Sequence, residues 1–254
     1  MSELTITPLD DGLASLRVAT DEEPYLGPDT VLQLRGAVAR LAALPWLRAV
    51  LVEGGARHFS AGASRDALLS GTAAEAIPFY AAELPRLLLA VPVPTIAVME
   101  GHAIGGGFIL GLWCDAAVLA EESLYGANFM ALGFTPGMGA TAVLEETLGA
   151  PLARELLFSG RMVKGRTLRS SLLGHAVVPR AEVRGRAIAL AREMADAPRE
   201  ALLLLKGTLA ARRREILERA VGEERRMHEA VFARGEARAL IAERHGAVGA
   251  PEST

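Results

Sequence analysis

The sequence predicts an α/β protein: a stacked core of alternating strands and helices, followed by a helical extension at the C-terminal end. Three observations predict it. Short apolar runs rich in branched residues alternate with helix-period segments from the N-terminus to about residue 178. One of these runs, VPVPTIAVMEGHAIGGGFILGLWCD over 91–115, reads as strand, glycine turn and helix in immediate succession. Beyond residue 180 the pattern is almost wholly helical. The expected division is a core over 1–195 and a helical C-terminal region over 196–254.

Residues 3–8 and 13–19 read as two short strands around the turn Leu9-Asp10-Asp11-Gly12. Gly27-Pro28-Asp29 opens a helix with Val31, Leu32, Leu34, Val38, Leu41 and Leu44 at helical spacing. RAVLV over 48–52 is a strand ended by Glu53-Gly54-Gly55. The segment ARHFSAGASRD is a loop that passes into a helix near Arg65, and 73–90 is a longer helix. The central strand is 95–99, after which Glu100, Gly101 and His102 turn the chain. Helical potential follows the glycine triplet over 108–114, another buried strand covers 116–119, and Leu124-Tyr125-Gly126 is extended. GFTPGMGAT over 133–141 is a loop stiffened by Pro136 and loosened by its glycines. A short strand at 176–178 precedes helices over 180–196, 198–212, 214–232 and 234–245.

Composition narrows the function. The 254 residues carry a formal charge of −3 and no basic block, which argues against nucleic acid as a partner. The apolar segments are interrupted by prolines, Glu100 and Asp115, short of the roughly 18 uninterrupted residues of a membrane span. The acidic N-terminus has no apolar signal core, and a cytoplasmic protein is expected. The single cysteine, Cys114, lies in an apolar run and reads as core filler. His58, His102, His175, His228 and His245 are scattered, so no metal site is expected, and GHAIGGG lacks dinucleotide spacing, so no cofactor is expected. Lys164 and Lys206 are the only lysines, which restricts any catalytic amine.

Two glycine-bearing loops each follow an apolar strand: Ser60-Ala61-Gly62-Ala63 and Gly105-Gly106-Gly107. Glycine admits a close approach of backbone to ligand, and the first N–H groups of a helix have no internal acceptor. If neighbouring strands carry the loops, their amides can converge on one oxygen and stabilise an enolate. Two unrelated turns, or tight helix–sheet packing, account for the same spacing.

HFSAGAS, then GHAIGGGFILGLWCDAAVLAEES, then YGANFMALGFTPGMGAT, in this order, resemble the crotonase (enoyl-CoA hydratase/isomerase) superfamily over nearly the whole chain. The resemblance implies a spiral of stacked ββα units, a C-terminal helical region that makes a homotrimer or hexamer, and a thioester carbonyl held by the amides of Ala63 and Gly106. Hydratases of the superfamily carry glutamates where this chain has Ile109 and Phe129, and hydration needs a carboxyl pair. An apolar wall at Ile109 and Phe129 suits decarboxylation instead, since a dry site desolvates the departing carboxylate.

In detail the motifs most resemble the decarboxylating members found in polyketide β-branching. That resemblance implies a 3-methylglutaconyl thioester on the phosphopantetheine of an acyl carrier protein, converted to 3-methylcrotonyl. It implies His228, in Arg226-Met227-His228, as proton donor to carbon. Members of the subgroup place a lysine toward the substrate carboxylate where this chain has Pro78; Arg65 is the candidate replacement, Arg86 a weaker one, and Tyr80 a candidate hydrogen-bond donor. An enoyl isomerase using His228, and a non-catalytic scaffold protein, are the competing readings.

Overall fold

A computed structural model of the chain describes residues 4–70, 80–172 and 174–245. Strands β1 (Thr5–Pro8) and β2 (Leu13–Arg17) pair as an antiparallel hairpin. Their turn needs two consecutive positive φ angles, met by Asp11 (62°) and Gly12 (76°), residue types that tolerate the left-handed region. Helix α1 (Pro28–Ala42) begins at a proline whose missing N–H costs nothing at that position, and it buries Val31, Leu34, Ala37, Val38 and Leu41. Leu32, expected on the same face, points to solvent at 68% exposure.

The chain then repeats a two-strand step. Strand β3 (Ala49–Glu53) is followed by β4 (His58–Ser60) and helices α2 (Arg65–Leu69) and α3 (Tyr80–Leu89). Strand β5 (Thr95–Met99) is followed by β6 (His102–Ile104) and α4 (Gly106–Leu112). Strand β7 (Ala116–Ala120) is followed by β8 (Leu124–Gly126), α5 (Ala140–Leu148) and α6 (Ala150–Ser159). The first strand of each step joins one sheet and the second joins another. Together with β9 (Val163–Lys164), α7 (Gly165–Leu168) and β10 (Ala176–Val178), they give a six-stranded sheet ordered β1-β2-β3-β5-β7-β10 and a four-stranded sheet ordered β4-β6-β8-β9. Pairing is parallel except for β1 with β2 and β8 with β9. Every residue of β3, β5 and β7 is buried, as their largely apolar runs fit a parallel sheet covered on both faces. This is the spiral of ββα units expected from the sequence.

Two strands fall where a loop and a turn are expected: β4 within ARHFSAGASRD and β6 at His102. Each has three residues, too few for any alternation to register in sequence.

Helices α8 (Val183–Ala195), α9 (Arg199–Phe232) and α10 (Glu236–Arg244) complete the chain. The helices expected over 198–212 and 214–232 are one, 34 residues long. No proline or glycine separates them, and Arg213 serves as an anchor rather than a break. Its guanidinium donates to the carbonyls of Leu112, Trp113 and Cys114 at 3.0 Å each and lies 4.9 Å over the Trp113 ring. A cation there satisfies the acceptors left at the C-terminal end of α4. Two turns earlier the buried Lys206 meets Asp115 at 2.6 Å, and Asp115 also accepts from the N–H and hydroxyl of Thr95. Asp115 is thus an internal fastener of α9. Asp115→Ala leaves an ammonium with 3% side-chain exposure unpaired, an expected loss of about 3–5 kcal/mol in denaturant unfolding. A second change, Lys206→Met, is expected to recover most of it. None of the described helices is long and apolar enough to cross a membrane.

Candidate active site

Strands β4 and β6 are parallel neighbours, with His58 opposite His102 and Ser60 opposite Ala103, so the loops leaving their C-terminal ends adjoin. Gly62 takes φ +75°, and a Cβ there would lie 2.7 Å from the Ile104 carbonyl and 3.2 Å from the Gly106 nitrogen. A Cβ on Gly107 would lie 2.4 Å from the Ser60 carbonyl. Main chain therefore packs on main chain at both places. Ala63 and Gly106 follow from this contact, and among the described residues neither amide has a hydrogen-bond acceptor. Both residues line one pocket of about 600 Å³, its open mouth included.

The pocket is predominantly apolar, with Leu26, Leu68, Leu84, Phe129, Leu132, Phe134 and Met138 on its walls. Its polar side chains are Asn128, His228 and His245, and no carboxyl group is on the described wall. His228 projects from α9, is 7% exposed, and lies with its ring centroid 6.4 Å from Phe134 and 6.3 Å from Phe232. Its Nε2 sits 2.6 Å from the Thr135 carbonyl oxygen. A carbonyl only accepts, so this nitrogen carries a proton in the neutral ring. Burial holds the His228 pKa below the usual imidazole value, and the hydrogen bonds to the carbonyls of Thr135 and Pro136 offset this in part.

The loop that meets His228 is fixed from the same helix. One turn before His228, Glu224 is 2% exposed and accepts from the N–H of Gly139 (2.7 Å), the N–H of Thr141 (2.9 Å) and the Thr141 hydroxyl (2.8 Å). Burial raises its pKa, against the pull of these donors. Between the two grips, Met138 is held at φ +64° with its carbonyl on the Trp113 indole N–H at 2.8 Å. Its sulfur stands where a Cβ on Gly106 would come within 2.8 Å. Helix α9 thus sets both the imidazole and the loop that backs Gly106.

Of the residues singled out in the sequence, Ala63, Gly106, Phe129 and His228 come together on this pocket. Ile109 does not. It is fully buried one turn into α4, with its N–H on the Gly105 carbonyl, and it packs in the core rather than on the wall. Nor does Arg65: its Nε and Nη2 donate to the Ala242 carbonyl at 3.3 and 3.2 Å, which turns the guanidinium toward α10. Arg86 is committed to both oxygens of Glu218 at 2.6 Å and to Glu83 at 2.9 Å. Tyr80 opens α3, and its side chain, like Pro78, lies outside the described residues. His58 and His102 stand edge to face 5.6 Å apart, behind the loops, where His102 Nδ1 accepts from the Leu124 N–H. The sequence reading did not single out Asn128, Glu224 or His245 as site residues. Glu224 has a legible signal, since four residues separate it from His228; Asn128 and His245 reach the pocket by contacts that no local spacing encodes.

The chain matches the family model for enoyl-CoA hydratase/isomerase over residues 26–245. It is 40% identical over 197 residues to the bacillaene synthase decarboxylase PksI of Bacillus subtilis, covering 78% of this chain and 79% of that protein. It is 33% identical over 241 residues to a probable enoyl-CoA hydratase, echA17, of Mycolicibacterium paratuberculosis, covering 93% of each. Among solved structures, it superposes on the ECH2 decarboxylase domain of CurF from Lyngbya majuscula with a TM-score of 0.86 at 30% identity, over 95% of this chain and 98% of that one. It superposes on a structure from a dehydratase/decarboxylase enzyme couple of polyketide beta-branching with a TM-score of 0.85 at 32% identity, over 96% and 100%. From its sequence, its spiral of paired strands and these relatives together, the chain belongs to the enoyl-CoA hydratase/isomerase family of enzymes.

Proposed function

We propose that this enzyme is a decarboxylase of polyketide β-branching, acting on a 3-methylglutaconyl thioester carried by an acyl carrier protein and releasing the 3-methylcrotonyl thioester. One observation carries the reading: two acceptor-free amides and one buried imidazole share an apolar pocket whose described wall has no carboxyl group. The thioester oxygen accepts from the N–H groups of Ala63 and Gly106. The bond between C4 and the carboxylate carbon breaks, its electrons pass through the C2–C3 double bond, and the charge collects on the thioester oxygen as a dienolate. Carbon dioxide leaves into a predominantly apolar cavity, where the carboxylate it comes from is poorly solvated. His228 then gives a proton to C4, and the double bond returns to C2–C3.

With Nε2 bound to Thr135, the proton available for transfer is the one on Nδ1 of the imidazolium. The free site favours the neutral ring. A substrate carboxylate nearby favours the charged ring, so the acid is charged when the carboxylate has entered. The named relatives support the reaction class. The carrier partner and a homotrimer or hexamer belong to the same reading. On α9, Leu204, Leu205, Leu209 and Ile216 are 69, 59, 42 and 43% exposed, an apolar surface that subunit contact would cover.

Mass spectrometry of the carrier protein tests the activity. Loss of one carbon dioxide from 3-methylglutaconyl carrier protein is the expected result. Double-bond migration in 3-methylcrotonyl carrier protein with no loss of mass from the carboxylated substrate would replace this reading with an isomerase. Tight carrier binding with neither reaction would leave a scaffold protein.

A further inference from the structure

The proposed substrate carries a carboxylate, and the described pocket wall holds neither lysine nor arginine. Guanidinium groups close to the pocket point at backbone carbonyls: Arg65 at Ala242, Arg244 at Ala131 (3.3 Å) and Arg238 at Leu69 (3.1 Å). These bonds strap α10 across the segments that frame the pocket. Two imidazoles remain on the wall, and they are not equivalent. His228 is enclosed by Phe134 and Phe232, its Nε2–H is held by the Thr135 carbonyl, and its role in the proposed reaction is the proton for C4.

His245 is half-buried where α10 ends. Its ring centroid is 6.4 Å from that of Tyr25, and its Nε2–H reaches the Ala63 carbonyl oxygen at 3.1 Å. The ring thus touches the residue whose own amide faces the pocket. Ala63 and His245 line the same pocket, so a thioester oxygen on the Ala63 amide and this ring share one cavity.

On the decarboxylase reading, we propose that His245 is the specificity residue for the substrate carboxylate, taking the place that a cationic side chain would hold. The test separates recognition from turnover by using two carrier-bound thioesters that the reaction cannot consume. Glutaryl and butyryl carrier proteins differ by the carboxylate, and glutaryl lacks the double bond that would accept the electrons of decarboxylation. Wild type is expected to bind glutaryl carrier protein the more tightly. His245→Gln retains a donor for the Ala63 carbonyl but removes the imidazole ring. It is expected to weaken glutaryl binding about tenfold, with butyryl binding within about twofold of wild type.

The ratio of the two affinities does not depend on the fraction of folded protein, and His245→Ala should move it the same way. An unchanged ratio in both variants, an equal fall for both thioesters, or a shift in Asn128→Ala in place of the His245 variants would overturn the assignment. Failure of the decarboxylase reading looks different: wild type and His245→Gln would still differ in the affinity ratio, and 3-methylglutaconyl carrier protein would lose no carbon dioxide.

Discussion

His228→Gln is expected to lower kcat on the carboxylated carrier substrate by about 10²–10⁴-fold, the range for loss of a positioned proton donor. Glutamine still donates to the Thr135 carbonyl, so the loop and the amides stay in place and KM should move by less than about threefold. The pH profile gives a second readout. The pH dependence of kcat/KM follows the pKa of the acid in the free enzyme, so the wild-type value falls as pH rises through it. Because burial lowers the pKa of His228, the inflection is expected below the roughly 6.5 of an ordinary imidazole. The variant should lose that limb. Stability follows the sign of the same shift. A ring held neutral stabilises the fold above its unfolded pKa, and this contribution is lost as pH falls through the lowered folded value. Acid sensitivity should therefore diminish in the variant. A kcat within threefold of wild type, with the limb intact, removes His228 from the chemistry.

Glu224→Ala is expected to damage stability and activity together. It strips the acceptor from two backbone amides and one hydroxyl, the Gly139 amide buried and the Thr141 groups partly so. Unmet buried donors cost about 1–3 kcal/mol each, and partial relaxation brings the expected loss to about 3 kcal/mol in denaturant unfolding. Activity should fall too. The 133–141 loop carries the Thr135 carbonyl that orients His228 and the Met138 side chain that backs Gly106. Loosening it is expected to reduce kcat per folded molecule by about tenfold or more. Wild-type kcat together with less than about 1 kcal/mol of destabilisation would mean that the loop holds its shape without this carboxylate.

Much of this architecture was legible in the chain. The buried strands β3, β5 and β7 are mostly apolar, with Glu53 and Thr95 as the polar residues at their ends, and the glycine triplet announces a close backbone approach whatever its purpose. Ala63, Gly106, Phe129 and His228 were found through motifs and meet at one cavity. What sequence could not give is the set of positions fixed by distant partners. Arg65 reads as a free cation beside a loop until α10, some 177 positions away, offers it the Ala242 carbonyl. Ile109 occupies an acidic position of hydratases, but the pitch of α4 turns it into the core. His245 looks solitary because its neighbours, Tyr25 and Ala63, belong to the opposite end of the chain. The strands β4 and β6 escaped notice because three residues leave no period to detect.

The spacing of the two amide donors is governed by glycine backbone touching backbone at Gly62 and Gly107, with no side chain interposed. The bulky side chains of the lining come from other residues, such as Leu68, Leu84 and Leu132. On the proposed mechanism, holding an enolate and choosing the acyl group are therefore separable traits in this scaffold. Redesign or evolutionary drift can reshape the cavity for a different chain while the charge-stabilising element is inherited unchanged, whereas a single methyl group added at either glycine would disable it for every substrate at once.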